Sequence, residues 1–456
     1  MSVCPIDYGR YGHPDMVHLF QEELRHELWL RVEAAVAEAE ADMGIIPIDA
    51  AEDIVESCNP QIVTLARANK IEAQTKHDVA ALVEAIAEKC KGPGKGWVHF
   101  GLTSNDIKDT ALGLQLKSAF SVLLPEVDRL LDSLVRRAQE TVDLVAVGRS
   151  HGQQAVPITY GIRFAVWTDE IRRHRRRLMS AMRRCEVGKI SGATGSHAAL
   201  GLQGLRLQRR VLRKLGLRVP IATTQIVQRD RLAEGILSLA NLSASIDKIA
   251  TDLRALQRTE IAETYEPFEE KKQVGSSAMP HKQNPVTLEK ICGLARLVRS
   301  HAAPALENVI SWEERDISHS STERFIVPQS FILADYVVRE MTMVVDGLVI
   351  DREAVARNLT LSKDLILSEY VLTLLAQTGM ERPKMHDTLR VLSGRAKKSG
   401  KGLLEELRDD PVSRLLPQDF RLDTEVYYDS IREVSREIVR MVGKKARPDS
   451  GESETS

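Results

Sequence analysis

The sequence predicts a mainly α-helical protein, and three observations carry that expectation. Between Pro220 and Pro267 there is no proline, and Leu232, Ile236, Leu239, Leu242, Ile246, Ile249, Leu253 and Leu256 recur at spacings of three and four. Residues so spaced share one helix face, so this reads as a single long amphipathic helix. Four further segments carry the same period, at about 112–142 with Pro125 as an expected kink, 162–185, 286–309 and 327–348. Few runs alternate as paired strands would, and no internal repeat is present.

A helix of roughly 35 residues spans about 50 Å at about 1.5 Å per residue, more than a compact domain requires. Five such helices predict a central bundle over residues 112–350. Before it, helical patterns at 16–43 and 77–90, broken by a turn at 91–96, predict an N-terminal helical domain over 1–111. After it, turn signals at Gly379, Pro383 and Gly394 separate shorter amphipathic segments, which predict a C-terminal helical domain over 351–443. The polar stretch 444–456 reads as a disordered tail.

The 456 residues suffice for a large core without staples. Lys plus Arg number 63 and Asp plus Glu number 64, a net charge of −1, so no global positive field is available to hold nucleic acid. The five cysteines, Cys4, Cys58, Cys90, Cys185 and Cys292, are scattered and form no CxxC pair. That pattern suits a reducing compartment and buried apolar filling rather than a metal site. The first residues lack a basic start and an apolar run, and no stretch of about 18 apolar residues occurs, so a soluble cytoplasmic protein is expected, with no membrane partner.

Chemistry concentrates in segments that are not continuous helix. From Gly275 to Pro285 the chain reads GSSAMPHKQNP, with a hydroxyl, an imidazole, an ammonium and an amide between two prolines. Gly275 frees the backbone, and Pro280 and Pro285 exclude helix between them, so this is expected to be a mobile catalytic loop between helices. Four other polar segments sit at helix junctions. Thr75-Lys76-His77-Asp78 opens a helix and could grip a polar ligand. His99 to Asp106 reads HFGLTSND, in which Thr103, Ser104 and Asp106 suit an N-cap that could also take a carboxylate. Gly148 to Pro157 reads GRSHGQQAVP, a loop whose His151 stands between small residues that allow close substrate approach, and an imidazole can donate a proton to a leaving group. Trp312 to Arg324 carries Arg315 and Arg324 nine apart with serines between, expected to meet an anion across an irregular stretch.

Two other features are structural. Gly92-Pro93-Gly94-Lys95-Gly96 lacks phosphate-loop spacing, and the basic run 172–177 spreads around a helix as a solvated or interface face. With no metal-ligand set and no dinucleotide fingerprint, the inventory suits cofactor-free acid–base chemistry on a polyanionic small molecule.

The 275–285 loop resembles the GSSxMPxKxNP signature of the fumarase/aspartase superfamily. Its MPHK form, with TKHD, HFGLTSND, GRSHGQQA and ERDISHSSTER in order, and Pro5-Ile6-Asp7-Tyr8 followed by Arg10-Tyr11-Gly12, is similar to the adenylosuccinate lyase family over about residues 5–440. The resemblance implies a three-domain fold whose long helices form a twenty-helix core in a homotetramer, with active sites shared between subunits. It implies cofactor-free β-elimination of fumarate from adenylosuccinate, leaving AMP, and from the succinylcarboxamide ribotide SAICAR, leaving AICAR. By the same resemblance Ser276 is the general base and His151 the acid. Lys282 and Asn284 stabilise the aci-carboxylate, Glu289 orients His151 or the lysine, and His77 supports His151 beside Lys76 and Asp78. Thr103, Ser104, Ser150 and Ser277 hold succinyl carboxylates, Gln225 a polar edge, and Arg10, Tyr11, Arg315, Ser320 and Arg324 the phosphate and ribose. The sequence departs from the family pattern at Ser150, Gln154, Gln283 and His13, none of them a proposed catalytic group. Argininosuccinate lyase, carboxymuconate cycloisomerase and an inactive helical scaffold are the competing readings.

Overall fold

The computed structural model describes residues 4–268, 275–377, 379, 381–415 and 423–445; the expected tail beyond 445 lies outside them. The chain opens with α1 (Pro14–His18), α2 (Glu22–Asp42), α3 (Ile48–Ser57), α4 (Leu65–Thr75) and α5 (Asp78–Ala87), then the long α6 (Ser104–Glu140). Strands β1 (Val145–Ser150) and β2 (Gln153–Thr159) follow, then α7 (Tyr160–Cys185), α8 (Leu202–Leu215) and α9 (Asp230–Leu256). A short β3 (Thr264–Tyr265) precedes α10 (Val286–Ser300), α11 (Ala302–Glu307), α12 (Ser318–Gly347) and β4 (Val349–Ile350). The chain continues through α13 (Arg352–Leu361), α14 (Ser368–Gln377), α15 (Arg382–Ser399), α16 (Leu403–Asp409) and α17 (Thr424–Lys445).

Local chemistry explains the boundaries. Thr64 caps α4 through its side-chain oxygen, and Gly216 and Gly400 end α8 and α15 in the left-handed conformation. The predicted helical spans differ at several points: α6 begins at Ser104 rather than near 112 and contains Pro125, residues 286–309 divide into α10 and α11, residues 16–43 divide into α1 and α2, and α9 is 27 residues long rather than roughly 35. Helix α12 begins nine residues before the expected 327, so Ser320 and Arg324 lie on it rather than on an irregular stretch. Asp316 explains the early start, because its carboxylate accepts the Ser318 N–H at 2.7 Å and the Trp312 N–H at 2.9 Å, which nucleates a turn the serines alone would not.

Two small antiparallel sheets also form, β1 with β2 and β3 with β4. The segment expected to be a loop around His151 is thus a hairpin. The glycine-rich turn at 91–96 closes on its own chain, with the Asp53 carboxylate accepting N–H groups of Lys91, Gly92 and Gly94 at 2.8 to 3.0 Å.

The fold divides into two compact units. The first holds residues up to Asp128 with Arg173–Asp247 and Ile291–Glu340, and the second holds Arg129–Arg172, Lys248–Lys290 and the residues from Met341 onward. The first unit has a core of Leu28, Leu30, Leu82, Ile86, Ile107, Leu207, Val211 and Leu212, and a separate aromatic cluster in which Phe331 meets Phe120 edge-on at 5.0 Å. The second is built on Val371, Leu375, Met385, Leu389, Leu392 and Leu403, with Val147 of β1 against Ile366 and Leu367. Each such side chain contributes roughly 1.5–3 kcal/mol on burial. Cys185 and Cys292 are buried as expected, but Cys4, Cys58 and Cys90 are only half-buried. Among the described residues no helix is long and apolar enough to cross a membrane.

Candidate active site

The polar residues singled out above fall into two groups, one in each unit. In the first unit a cleft of about 400 Å³ is lined by Asp78, Arg315, Ser320 and Arg324, together with Asn105, Lys108, Trp29 and Arg229. Asp78 opens α5 and pairs with Lys108 at 2.5 Å. Burial raises the Asp78 pKa, but the Lys108 ammonium outweighs it and holds the carboxyl below its ordinary value. Lys108 also lies 5.8 Å from the Trp29 ring centroid, and Arg25 lies 5.3 Å from it, a cation–π arrangement on one wall. Beneath them Arg229 forks to Asp109 at 2.8 and 3.0 Å and to Glu323 at 2.7 Å, so its charge is committed to structure.

Polar atoms of this cleft remain unsatisfied. Asn105 Oδ1 and Arg315 Nε are buried with no hydrogen-bond partner among the described residues, an acceptor and a donor available to a ligand. Arg315 Nη1 donates to Gln225 Oε1 at 2.9 Å, which ties Gln225 to the lining. Thr103 and Ser104 stand at the start of α6 immediately before Asn105, with the Thr103 N–H donated to Asp106 at 2.8 Å. His77 caps α5 by accepting the Ala80 N–H at 3.2 Å, and Lys76 before it takes a left-handed φ of 58°. Arg10 and Tyr11 are not among the cleft's lining residues; Tyr11 meets Tyr336 edge-on at 6.0 Å.

In the second unit His151 and Gly152 form the two-residue turn of the β1–β2 hairpin, with φ of 54° and 74°. Two positive φ values mark the primed turn that matches strand twist, and Gly152 takes its place without steric cost. Ser150 ends β1 beside them. Arg149 anchors the hairpin by donating to Glu263 at 2.6 Å, and Glu263 also accepts from the Tyr160 hydroxyl at 2.7 Å and the Asn358 amide at 2.9 Å. Burial raises the Glu263 pKa, but these three donors outweigh it and keep the carboxyl below its usual range.

The 275–285 segment is non-helical, as its prolines require. A side chain at Gly275 would place its Cβ 2.2 Å from the Lys282 carbonyl oxygen, so only glycine fits there. Asn284 Nδ2 donates back to the Gly275 carbonyl at 2.9 Å, and Ser276 Oγ accepts the Met279 N–H at 3.2 Å. Ser277 and Lys282 are exposed. Glu289, in the first turn of α10, faces Arg254 at 3.5 Å, while Glu266 caps that helix through the Thr287 and Leu288 N–H groups at 3.1 and 3.0 Å.

Sequence reasoning missed Lys108, Asn105, Trp29 and Arg25. Asn105, Lys108 and Leu112 recur at helical spacing after Ser104, which puts them on one face of α6, and that spacing was the available signal.

The lyase family matches residues 9–300. The chain is 43% identical over 96% of its length, and 98% of the relative's, to the adenylosuccinate lyase of Methanothermobacter thermautotrophicus. It is 39% identical to that of Bacillus subtilis over 90% of its length and 94% of the relative's. Among solved structures it resembles a fumarate lyase from Mesorhizobium sp. BNC1, with a TM-score of 0.82, 30% identity and coverage of 96% and 99% of the two chains. It also resembles the 3-carboxy-cis,cis-muconate lactonizing enzyme of Pseudomonas putida, with a TM-score of 0.84, 29% identity and coverage of 97% and 99%.

Proposed function

We propose, for a chain that belongs to the lyase family and within it to the adenylosuccinate lyases, that it is a carbon–nitrogen lyase releasing fumarate from adenylosuccinate to leave AMP. By the same chemistry it releases fumarate from SAICAR to leave AICAR, which places it in purine biosynthesis. The observation that carries the reading is 43% identity over 96% of the chain, set against 29% to the muconate enzyme. The lined cleft supports it, since Arg315, Arg324 and Ser320 offer forked and hydroxyl donors suited to a phosphorylated ligand.

The reaction removes a proton from the succinyl carbon next to a carboxylate and then breaks the adjacent carbon–nitrogen bond. Ser276 Oγ takes the proton, and the electron pair left on carbon delocalises into the carboxylate as a dianion. The Lys282 ammonium and Asn284 amide meet that charge. When the carbon–nitrogen bond breaks, its electron pair goes to nitrogen, and His151 donates the proton that neutralises it. Serine is a weak base, and the Met279 N–H donated to Ser276 Oγ is one group that favours the alkoxide. Thr103, Ser104, Ser150 and Ser277 hold the carboxylates, His77 and Glu289 orient the reacting groups, and Arg10, Tyr11 and Gln225 complete the nucleotide contacts. No cofactor enters this scheme. The three-domain division, the homotetramer with shared sites and a cytoplasmic location complete the proposal, the last supported by five free cysteines.

Fumarate release from adenylosuccinate by the purified chain, with argininosuccinate as control, tests the activity; no release overturns it. Ser276→Ala and His151→Ala are each expected to lower kcat by about 10²–10⁴-fold, the range for positioned acid–base groups. A variant close to wild type removes its residue from the assigned role.

A further inference from the structure

A buried ion pair beside the first unit's cleft ties three of the proposed contact segments together. The side chains of Lys189 and Asp106 are both wholly shielded from solvent, and the ammonium and carboxylate are in direct contact. The same carboxylate accepts the N–H groups of Thr103 at 2.8 Å, Ser191 at 2.9 Å and Gly192 at 3.2 Å. Four donors nearly saturate a carboxylate, which offers about four lone-pair sites. One of them belongs to the start of α6, and the others belong to the segment leading into 191–201, which contains neither helix nor strand.

From there the connection continues. The Ala193 carbonyl accepts Gln225 Nε2 at 2.9 Å, and Gln225 Oε1 accepts Arg315 Nη1 at 2.9 Å. Ser191 Oγ bonds Thr223 Oγ1 at 2.8 Å, and Thr110 Oγ1 bonds both the carbonyl and the N–H of Lys189, at 2.8 and 3.0 Å. A continuous hydrogen-bonded path therefore runs from Thr103 through Asp106 and residues 191–193 to Gln225 and Arg315. A salt bridge this deep is a poor source of stability, because desolvating both charges opposes their attraction. What it supplies is a fixed position for the carboxylate on which irregular backbone is organised.

We propose that Lys189 is a positioning residue: by neutralising Asp106 in the interior it holds Thr103, Gln225 and Arg315 in one arrangement, and so sets substrate affinity without touching substrate. This rests on the reading that those three residues contact substrate, and the experiment separates the two.

Steady-state kcat and KM for adenylosuccinate are measured on the full chain, well below its thermal midpoint, for Lys189→Met, Lys189→Arg, Asp106→Asn/Lys189→Met and Gln225→Ala. Lys189→Met is expected to raise KM by about tenfold or more with kcat per folded enzyme changed less than about threefold, and Lys189→Arg to keep KM near wild type. A lowered thermal midpoint with wild-type KM in Lys189→Met means the pair is merely structural and overturns the proposal. Should Lys189→Met not fold, the double variant, which buries no lone charge, decides: raised KM supports the proposal and wild-type KM overturns it. Raised KM in Gln225→Ala beside wild-type KM in the Lys189 variants overturns the positioning role alone. Wild-type KM in Gln225→Ala instead overturns the contact reading on which it rests.

Discussion

His319 shows how one cleft residue couples folding to acidity. It is 2% exposed, and burial, followed by the positive charge of Arg229, pushes its pKa down to about 4. In the unfolded chain an imidazole titrates near 6.5, so between about 4 and 6.5 the unfolded state binds more protons. The contribution of neutral His319 is therefore fully present above that window and is lost as pH falls through it, by up to roughly 3 kcal/mol. Urea unfolding at several pH values across the window is expected to give a slope that His319→Gln lacks. Equal slopes in the two proteins would contradict this account.

The hairpin is the element on which the proposed acid depends. Its two strands are short, and its register is fixed by the His151–Gly152 turn and by the buried contact of Arg149 with Glu263. Removing one partner of a buried pair leaves the other uncompensated, so Arg149→Met is expected to destabilise the chain by about 3 kcal/mol. Thermal melting measures this, and a midpoint equal to wild type would show that Tyr160 and Asn358 suffice to hold Glu263. The long helices were legible in the sequence because leucines and isoleucines three and four apart leave a strong signal. The hairpin was not, because His-Gly is an uncommon turn pair and Val145 to Ser150 alternates weakly. The start of α12 was hidden for a related reason, since serines favour local side-chain bonds until Asp316 supplies the cap. Reactive residues in breaks between helices, such as Ser276 and Arg315, were readable as chemistry. Lys108 and Asn105 were not, because inside a helix they look like ordinary surface and capping residues.

At the scale of the whole molecule, the proposed site residues divide between the two compact units, with His151 and Ser276 in one and Arg315 and Thr103 in the other. The proposed tetramer with shared sites gives that grouping a measurable consequence. If one site draws His151 and Arg315 from different chains, mixing His151→Ala with Arg315→Ala subunits through unfolding and reassembly restores both native residues in roughly a quarter of sites. Activity in the mixture that neither variant has alone is the expected result; a mixture as inactive as its components means each site is built by a single chain. The bond from Asn284 back to Gly275 bears on what happens within any one site. It makes the segment from 275 to 284 a closed clasp rather than an open ribbon, with Ser276 and Lys282 on the same ring of chain. In the proposed mechanism this closure has a consequence: a segment tied at both ends presents the proposed base, Ser276, and the proposed charge-stabilising Lys282 to substrate as a pair rather than one after the other.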